Sequence, residues 1–183
     1  MKVIETDIPG LVILEPRYFE DDRGYFCEAF NQTNIIEALG LPNISFVQDN
    51  ESKSKKGVLR GLHFQHAPYG QGKLIRVIQG SIFDVAVDIR VGSPTFGKHV
   101  ALELSEENRR QFWIPAGFAH GFVALEDDSK LLYKTTTFYN ADADAGIHCL
   151  DPELGIDWPL ANQWQLSEKD KFLPNLCDMK LKL

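Results

Sequence analysis

The sequence predicts an all-β fold, a jelly-roll barrel with a few short helices. Three observations carry this. Much of the chain consists of short runs rich in β-branched and aromatic residues. Gly, Pro, Asn or Asp separates each run from the next at regular spacing, the pattern of a sandwich or barrel. Only the stretch near Thr33–Leu39 is punctuated as a helix within the first two thirds of the chain.

In chain order, the predicted strands are Leu11–Glu15, Tyr25–Phe30, Ile44–Asn50, Val58–Phe64, Lys73–Ile78, Ile82–Ile89, His99–Leu104, Gln111–Ile114, Phe122–Leu125 and Leu131–Tyr139. The helix follows the second strand, with Asn31 or Thr33 as its cap and Gly40 as its stop. Ile82–Ile89 alternates: Phe83, Val85, Val87 and Ile89 share one face, and Asp84, Ala86 and Asp88 share the other. In Leu131–Tyr139, the residues Tyr133, Thr135, Thr137 and Tyr139 share a face. A small barrel whose inner faces mix aromatics with Asp, His, Lys and Tyr usually holds a ligand. From about Asp151, prolines and short polar runs predict irregular chain laid over the barrel, with Ser167 capping a short helix. No linker, repeat or low-complexity tract divides the 183 residues, so one domain spanning 1–183 is expected.

The net charge of -7 predicts no nucleic-acid footprint, though a local basic pocket for a small anion stays open. Cys27, Cys149 and Cys177 are far apart and form no C-x-x-C pair. That fits reduced thiols better than a disulfide framework or a zinc site. No apolar run is long enough for a signal peptide or a membrane span, so a cytoplasmic protein is expected.

Of five histidines, two stand in informative segments. His120 lies in Pro115-Ala-Gly-Phe-Ala-His-Gly-Phe122, which resembles the second motif of cupin barrels, where such a His often binds a metal. His63 lies in Gly57-Val-Leu-Arg-Gly-Leu-His-Phe-Gln65. Metal-binding cupins usually carry H-x-H with a following Glu; here Gln65 takes the second position and no Glu precedes Gly72. An amide is a poor substitute for imidazole or carboxylate. The fold expected is therefore a cupin-like jelly-roll barrel with no metal and no cofactor.

Asp22-Arg-Gly-Tyr-Phe-Cys-Glu28, Gln48-Asp49-Asn50, Gly57–His63, Gly72-Lys73, Pro115–Phe122 and Tyr133 through Tyr139 occur in that order. Together they resemble the dTDP-4-dehydrorhamnose 3,5-epimerase family, from about Ile4 to Asp170. The resemblance implies an isomerase that inverts C3 and C5 of dTDP-4-keto-6-deoxyglucose, in dTDP-L-rhamnose biosynthesis. It implies His63 as general base, Tyr133 as general acid, Lys73 near the C4 carbonyl and Asp170 paired with His63. Arg23, Glu28, Gln48, Asp49, Asn50, Arg60, His120, Asp144 and Lys169 match positions that hold the nucleotide or sugar, and Tyr139 matches an aromatic that stacks on thymine. Asp144 stands where family members commonly carry Glu, one methylene longer. The resemblance also implies a homodimer exchanging N-terminal strands, with Arg23 and Glu28 serving the partner's site.

These residue types suit the chemistry. A C–H beside a ketone becomes removable when a cation or hydrogen-bond donor stabilises the enolate, and Lys73 supplies one. Imidazole titrates near neutrality, as such a base should. A carboxylate on its other nitrogen fixes the tautomer. Inversion needs a proton from the opposite face, which a tyrosine hydroxyl delivers.

Each residue also has a structural reading. Ser167-Glu-Lys-Asp170 is close to a capping box, Tyr133 and Tyr139 fit as barrel aromatics, and Lys73 fits as a solvated strand start. Arg23 fits a surface turn, and Gln48 and Asn50 fit strand-end amides. A single-position epimerase acting at C5 or C3 is the nearest alternative, since it would need the same His, Lys and Tyr. A ketoisomerase, a non-catalytic sugar-nucleotide-binding cupin and a metal-dependent cupin are weaker ones. Strict alternation sets Arg60 and His63 on opposite strand faces, so a shared pocket demands a bulge or twist near Gly61.

Overall fold

The computed structural model describes residues 1–161 and 163–181. It is mostly β-structure: β1 Lys2–Glu5, β2 Val12–Glu15, β3 Tyr18–Asp21, β4 Gly24–Cys27, β5 Gln48–Ser54, β6 Leu59–Gln65, β7 Lys73–Gln79, β8 Ser81–Asp88, β9 His99–Ser105, β10 Gln111–Ile114, β11 Phe118–Ala124, β12 Ser129–Thr135 and β13 Asp144–Gly146. Helix α1 spans Gln32–Leu39 and α2 spans Glu168–Lys171. A six-stranded sheet runs β1-β2-β10-β7-β12-β5 and a five-stranded sheet runs β13-β6-β11-β8-β9; β3 and β4 form a separate hairpin. The two larger sheets pack face to face, as in a cupin-like barrel.

Alternation along the strands builds three apolar layers. Between the sheets, Ile75, Val77, Phe112 and Leu131 meet Ile82, Leu104, Phe118 and Phe122. The outer face of the six-stranded sheet presents Leu14, Leu74 and Trp113 to Ile35 of α1. The outer face of the five-stranded sheet presents Leu59, Val85, Val87 and Val123 to Leu154, Trp158 and Leu176 of the C-terminal segment. Burying one such side chain contributes about 1.5–3 kcal/mol. Strand β8 divides its residues as its sequence requires: Val85 and Val87 face outward, and Ile82, Asp84 and Ala86 face the interior.

Asn31 caps α1, its side-chain oxygen accepting from the N–H groups of Thr33 and Asn34, and Gly40 ends the helix at φ +66°. Ser167 caps α2 by accepting from Asp170 N–H. No described helix is long and apolar enough to cross a membrane.

The expected strands shift at several points. The expected Ile44–Asn50 strand lies four residues later, as β5, because Ile44 and Phe46 pack beneath α1 instead. Strand β11 begins at Phe118 rather than Phe122. Strand β12 stops at Thr135, so Thr137 and Tyr139 lie beyond the strand that holds Tyr133. The sequence pattern predicts no strand at β1, β3 or β13.

Candidate active site

A cavity of about 310 Å³ opens between the two sheets. Its walls carry Arg60 and His63 from β6, His120 from β11, Lys73 from β7 and Tyr133 from β12. Tyr139, Asp144 and Lys169 line it as well.

Arg60 and His63 share this cavity because β6 is bulged. His63 pairs with His120 and Arg60 pairs with Phe122, so three steps on β6 oppose two on β11. The extra residue resets the alternation: Leu59 and Leu62 both face the outer layer, leaving Arg60 and His63 on the inner side. Gly61 permits this at φ +105°, and a Cβ there would stand 2.6 Å from the His120 carbonyl oxygen. The irregularity expected at Gly61 is present.

His63 Nε2 lies 2.6 Å from Oδ1 of Asp170, which α2 lowers onto β6. Gly61 N–H donates to the other oxygen at 3.4 Å. Burial raises the Asp170 carboxyl, but the hydrogen bond and charge of His63, with Gly61 and Ser167, outweigh it and hold the group below the usual carboxylate range. The capping-box expectation is thus half met: the Ser167 hydroxyl caps the helix, while the Asp170 carboxylate serves His63.

Lys73 is buried and donates to the His63 carbonyl oxygen at 3.3 Å. Burial pushes its ammonium down to about 8, with Asp84 and Asp144 opposing the fall. Burial also raises the Tyr133 hydroxyl, which keeps it protonated at neutral pH. Imidazole and phenol reach the cavity from opposite sheets.

At the cavity's edge, the Tyr139 hydroxyl donates to Asp144 at 3.1 Å, and Lys169 pairs with the same carboxylate. Tyr139 N–H donates to Gln48 Oε1 at 3.0 Å, and the Gln48 amide donates to Asn50 at 2.9 Å. Gln65 is committed to the backbone: its amide nitrogen donates to Tyr69 O and its oxygen accepts from Asn140 N–H. Among the described residues, no group of three or more His, Cys, Asp or Glu is placed to hold a metal.

Gln48 and Asn50, on the inward side of β5, are not among the cavity's lining residues, and three further residues expected at the site lie away from it within the chain. Asp49 points outward from β5 and pairs with Lys134 at 2.8 Å, because alternation gives the inner face to Gln48, Asn50 and Ser52. Arg23 sits at the exposed tip of the β3–β4 hairpin, paired with Asp21 at 2.6 Å. Glu28 accepts from Asn31 and Asn34 near the start of α1. Conversely, Asp84, to which the sequence pattern assigns no role, lies 2.9 Å from His120 Nε2 behind the cavity wall. The signal was a carboxylate on the inner face of an apolar strand, which demands a buried partner.

The family model for dTDP-4-dehydrorhamnose 3,5-epimerase matches residues 5–178. A dTDP-4-dehydrorhamnose 3,5-epimerase of Pseudomonas aeruginosa is 56% identical over 171 residues, 93% of each chain. One of Shigella flexneri is 55% identical over 170 residues, again 93% of each chain. A crystal structure of a dTDP-6-deoxy-D-glucose-3,5-epimerase from Legionella pneumophila, in complex with dTDP-4-keto-L-rhamnose, superposes with a TM-score of 0.94 at 52% identity, over 97% of this chain and 94% of that one. With the fold, the cavity and these likenesses in agreement, the chain belongs to the dTDP-4-dehydrorhamnose 3,5-epimerase family.

Proposed function

We propose that the protein inverts C3 and C5 of dTDP-4-keto-6-deoxyglucose, giving dTDP-4-keto-L-rhamnose, by proton abstraction through an enolate. The observation that carries this reading is the placement of His63, held by Asp170, and Tyr133 on opposite sheets of one cavity, with Lys73 beside them.

Asp170 accepts the Nε2 proton of His63, leaving the Nδ1 lone pair as the base. His63 takes the proton from the carbon next to the C4 ketone, and the C–H electrons move onto the carbonyl oxygen. The Lys73 ammonium offsets the oxyanion charge inside a partly dehydrated cavity, where such an interaction is strongest. Tyr133 returns a proton to the other face of the carbon, so the configuration inverts, and solvent restores both side chains. Proton transfer of this kind contributes about 10²–10⁴-fold each for base and acid. Arg60 and Lys169 supply positive charge for the diphosphate, and the Tyr139 ring offers a stacking surface for the base.

The test is incubation with dTDP-4-keto-6-deoxyglucose in D₂O after chelator treatment, followed by NMR of the sugar. Deuterium at both C3 and C5 with inversion is expected, at a rate unchanged by the chelator. Exchange at one carbon selects a single-position epimerase, and no exchange sinks both readings.

The active form in this reading is a cytoplasmic homodimer of single-domain chains that exchange N-terminal strands. Its support is the β3–β4 hairpin, whose Tyr25 and Phe26 are 62% and 69% exposed, an apolar surface that a partner would cover. Arg23 and Glu28 would then face the partner's cavity. Mixing inactive Arg23→Ala and His63→Ala chains should restore part of the activity, because one of the two sites regains both residues. Free Cys27, Cys149 and Cys177 fit a reducing compartment.

A further inference from the structure

We propose that Gln65 is a positioning residue that sets specificity at this site: its side-chain amide clamps the backbone on both sides of Tyr139 and so holds that ring where a nucleotide's base would stack. The proposal rests on the reading of Tyr139 as the stacking surface for the base.

Gln65 ends β6 and shares its inner face with His63, two positions earlier. Only 5% of it is exposed. A buried amide must find partners for both its acceptor oxygen and its donor hydrogens. Gln65 finds them on two loops. Its Nε2 donates to Tyr69 O at 2.7 Å, between β6 and β7, and to Phe138 O at 3.4 Å, beyond the end of β12. Its Oε1 accepts from Asn140 N–H at 2.8 Å. The partners themselves fix which end of the amide is which, since two are carbonyls and the third is an N–H.

The two groups gripped beyond β12 flank Tyr139. That residue lies past the last strand position, Thr135, and is 57% exposed, so neither a sheet ladder nor close packing orients its ring. Side-chain amides do so instead. Gln48, reaching from β5, accepts the Tyr139 N–H at 3.0 Å, while Gln65 holds Phe138 O and Asn140 N–H on either side. The Tyr139 hydroxyl then meets Asp144 at 3.1 Å, and Asp144 is the register partner of Gln65 between β13 and β6. Gln71, donating to Thr137 O at 2.8 Å, laces the same two loops together.

The residue type follows from this task. Metal-binding cupins usually carry the second His of H-x-H at this position. Here one side chain has to accept from an N–H and donate to two carbonyls. A carboxylate only accepts, and a neutral imidazole has a single donor; an amide has an acceptor and two donor hydrogens on one planar group. The position that ligates metal in those barrels serves base recognition in this one.

The test measures binding of dTDP and of inorganic pyrophosphate to the full chain by calorimetry. Gln65→Met, similar in volume but without the amide, should weaken dTDP by about tenfold and pyrophosphate by less than about twofold. Made in a Tyr139→Ala background, the same change should weaken dTDP no further, because both act through one ring. Equal weakening of the two ligands, an unchanged dTDP affinity, or full additivity with Tyr139→Ala overturns the proposal. One measurement on wild type is independent of any variant's folding. In NMR hydrogen exchange, dTDP should slow the Asn140 N–H at least about fivefold more than pyrophosphate does, since a base resting on Tyr139 and the clamp stabilise each other. Equal slowing overturns the proposal as well. Failure of the stacking reading has its own signature, an unchanged dTDP affinity in Tyr139→Ala. Faster exchange of the Tyr139 and Asn140 N–H groups in Gln65→Met would still report the clamp, and rates equal to wild type would exclude it.

Discussion

Asp170 lies 107 positions after His63, yet its Oδ1 sits 2.6 Å from the imidazole Nε2. The contact joins β6 to a single helical turn in the C-terminal segment, and in the proposed reaction it leaves the other ring nitrogen as the base. His63→Ala should therefore abolish deuterium exchange at both carbons. Asp170→Asn should lower kcat by roughly 10²–10⁴-fold with little change in KM, since the tautomer is lost and the binding surface is not. Steady-state kinetics on the folded variant checks this, and a loss confined to KM would refute the orienting role.

Tyr133 faces His63 from the opposite sheet, so removal of its hydroxyl should separate two events. Tyr133→Phe should exchange deuterium at a rate within about tenfold of wild type, while inverted product falls by about 10²-fold or more. Both are read from one NMR time course. Equal loss of exchange and inversion would show that the phenol does more than reprotonate.

Gly61 carries the bulge that sets Arg60 beside His63. Its φ of +105° and the 2.6 Å approach to the His120 carbonyl oxygen both oppose a side chain. Gly61→Ala should destabilise the fold by roughly 2–4 kcal/mol. Gly24, at φ +122° with nothing within 4 Å of a Cβ, provides the comparison. Gly24→Ala carries the backbone strain without the collision, so its loss should be about 1–2 kcal/mol. Urea titrations of the two variants decide it, and equal losses would remove the collision from the account.

Asp88 anchors the turn after β8, accepting from Arg90, Ser93 and Thr95. Burial raises its carboxyl, but those hydrogen bonds outweigh burial and hold it well below the usual range. A depressed carboxylate contributes stability that is fully present above the unfolded value of about 4 and fades as pH falls below it. Asp88→Asn should thus cost about 2–4 kcal/mol at pH 7, with the gap from wild type narrowing toward pH 3. Denaturant midpoints at the two pH values test the sign, and a constant gap would contradict it.

The barrel class and most inner strands were legible because alternation of apolar and polar residues survives wherever one face is buried. The sequence pattern misplaces strand β5 for the opposite reason. Its sequence Gln-Asp-Asn-Glu-Ser-Lys-Ser has no apolar residue, since its inner face stands on the polar cavity side and its outer face meets solvent. The apolar Ile44 and Phe46 just before it attracted the prediction, although they serve the layer under α1. The bulge at Gly61 was foreseeable from two functional residues three apart, which regular alternation would have divided. Asp84 was visible as a misplaced charge, but its partner His120 sits 36 positions away, and only the register of β8 with β11 joins them. Likewise, no local pattern distinguishes outward Asp49 from inward Gln48 and Asn50 until the strand's orientation is known.

The docking of α2 onto β6 has a bearing on how this protein is made. Translation proceeds from the amino end, so the thirteen described strands leave the ribosome before Ser167 and Asp170 do. The strands that carry the imidazole, the ammonium and the phenol therefore precede in synthesis the carboxylate that, in the proposed reaction, orients the base. In that reading, a protease that removes the segment from Ser167 onward would cost the enzyme its chemistry while leaving every described strand uncut.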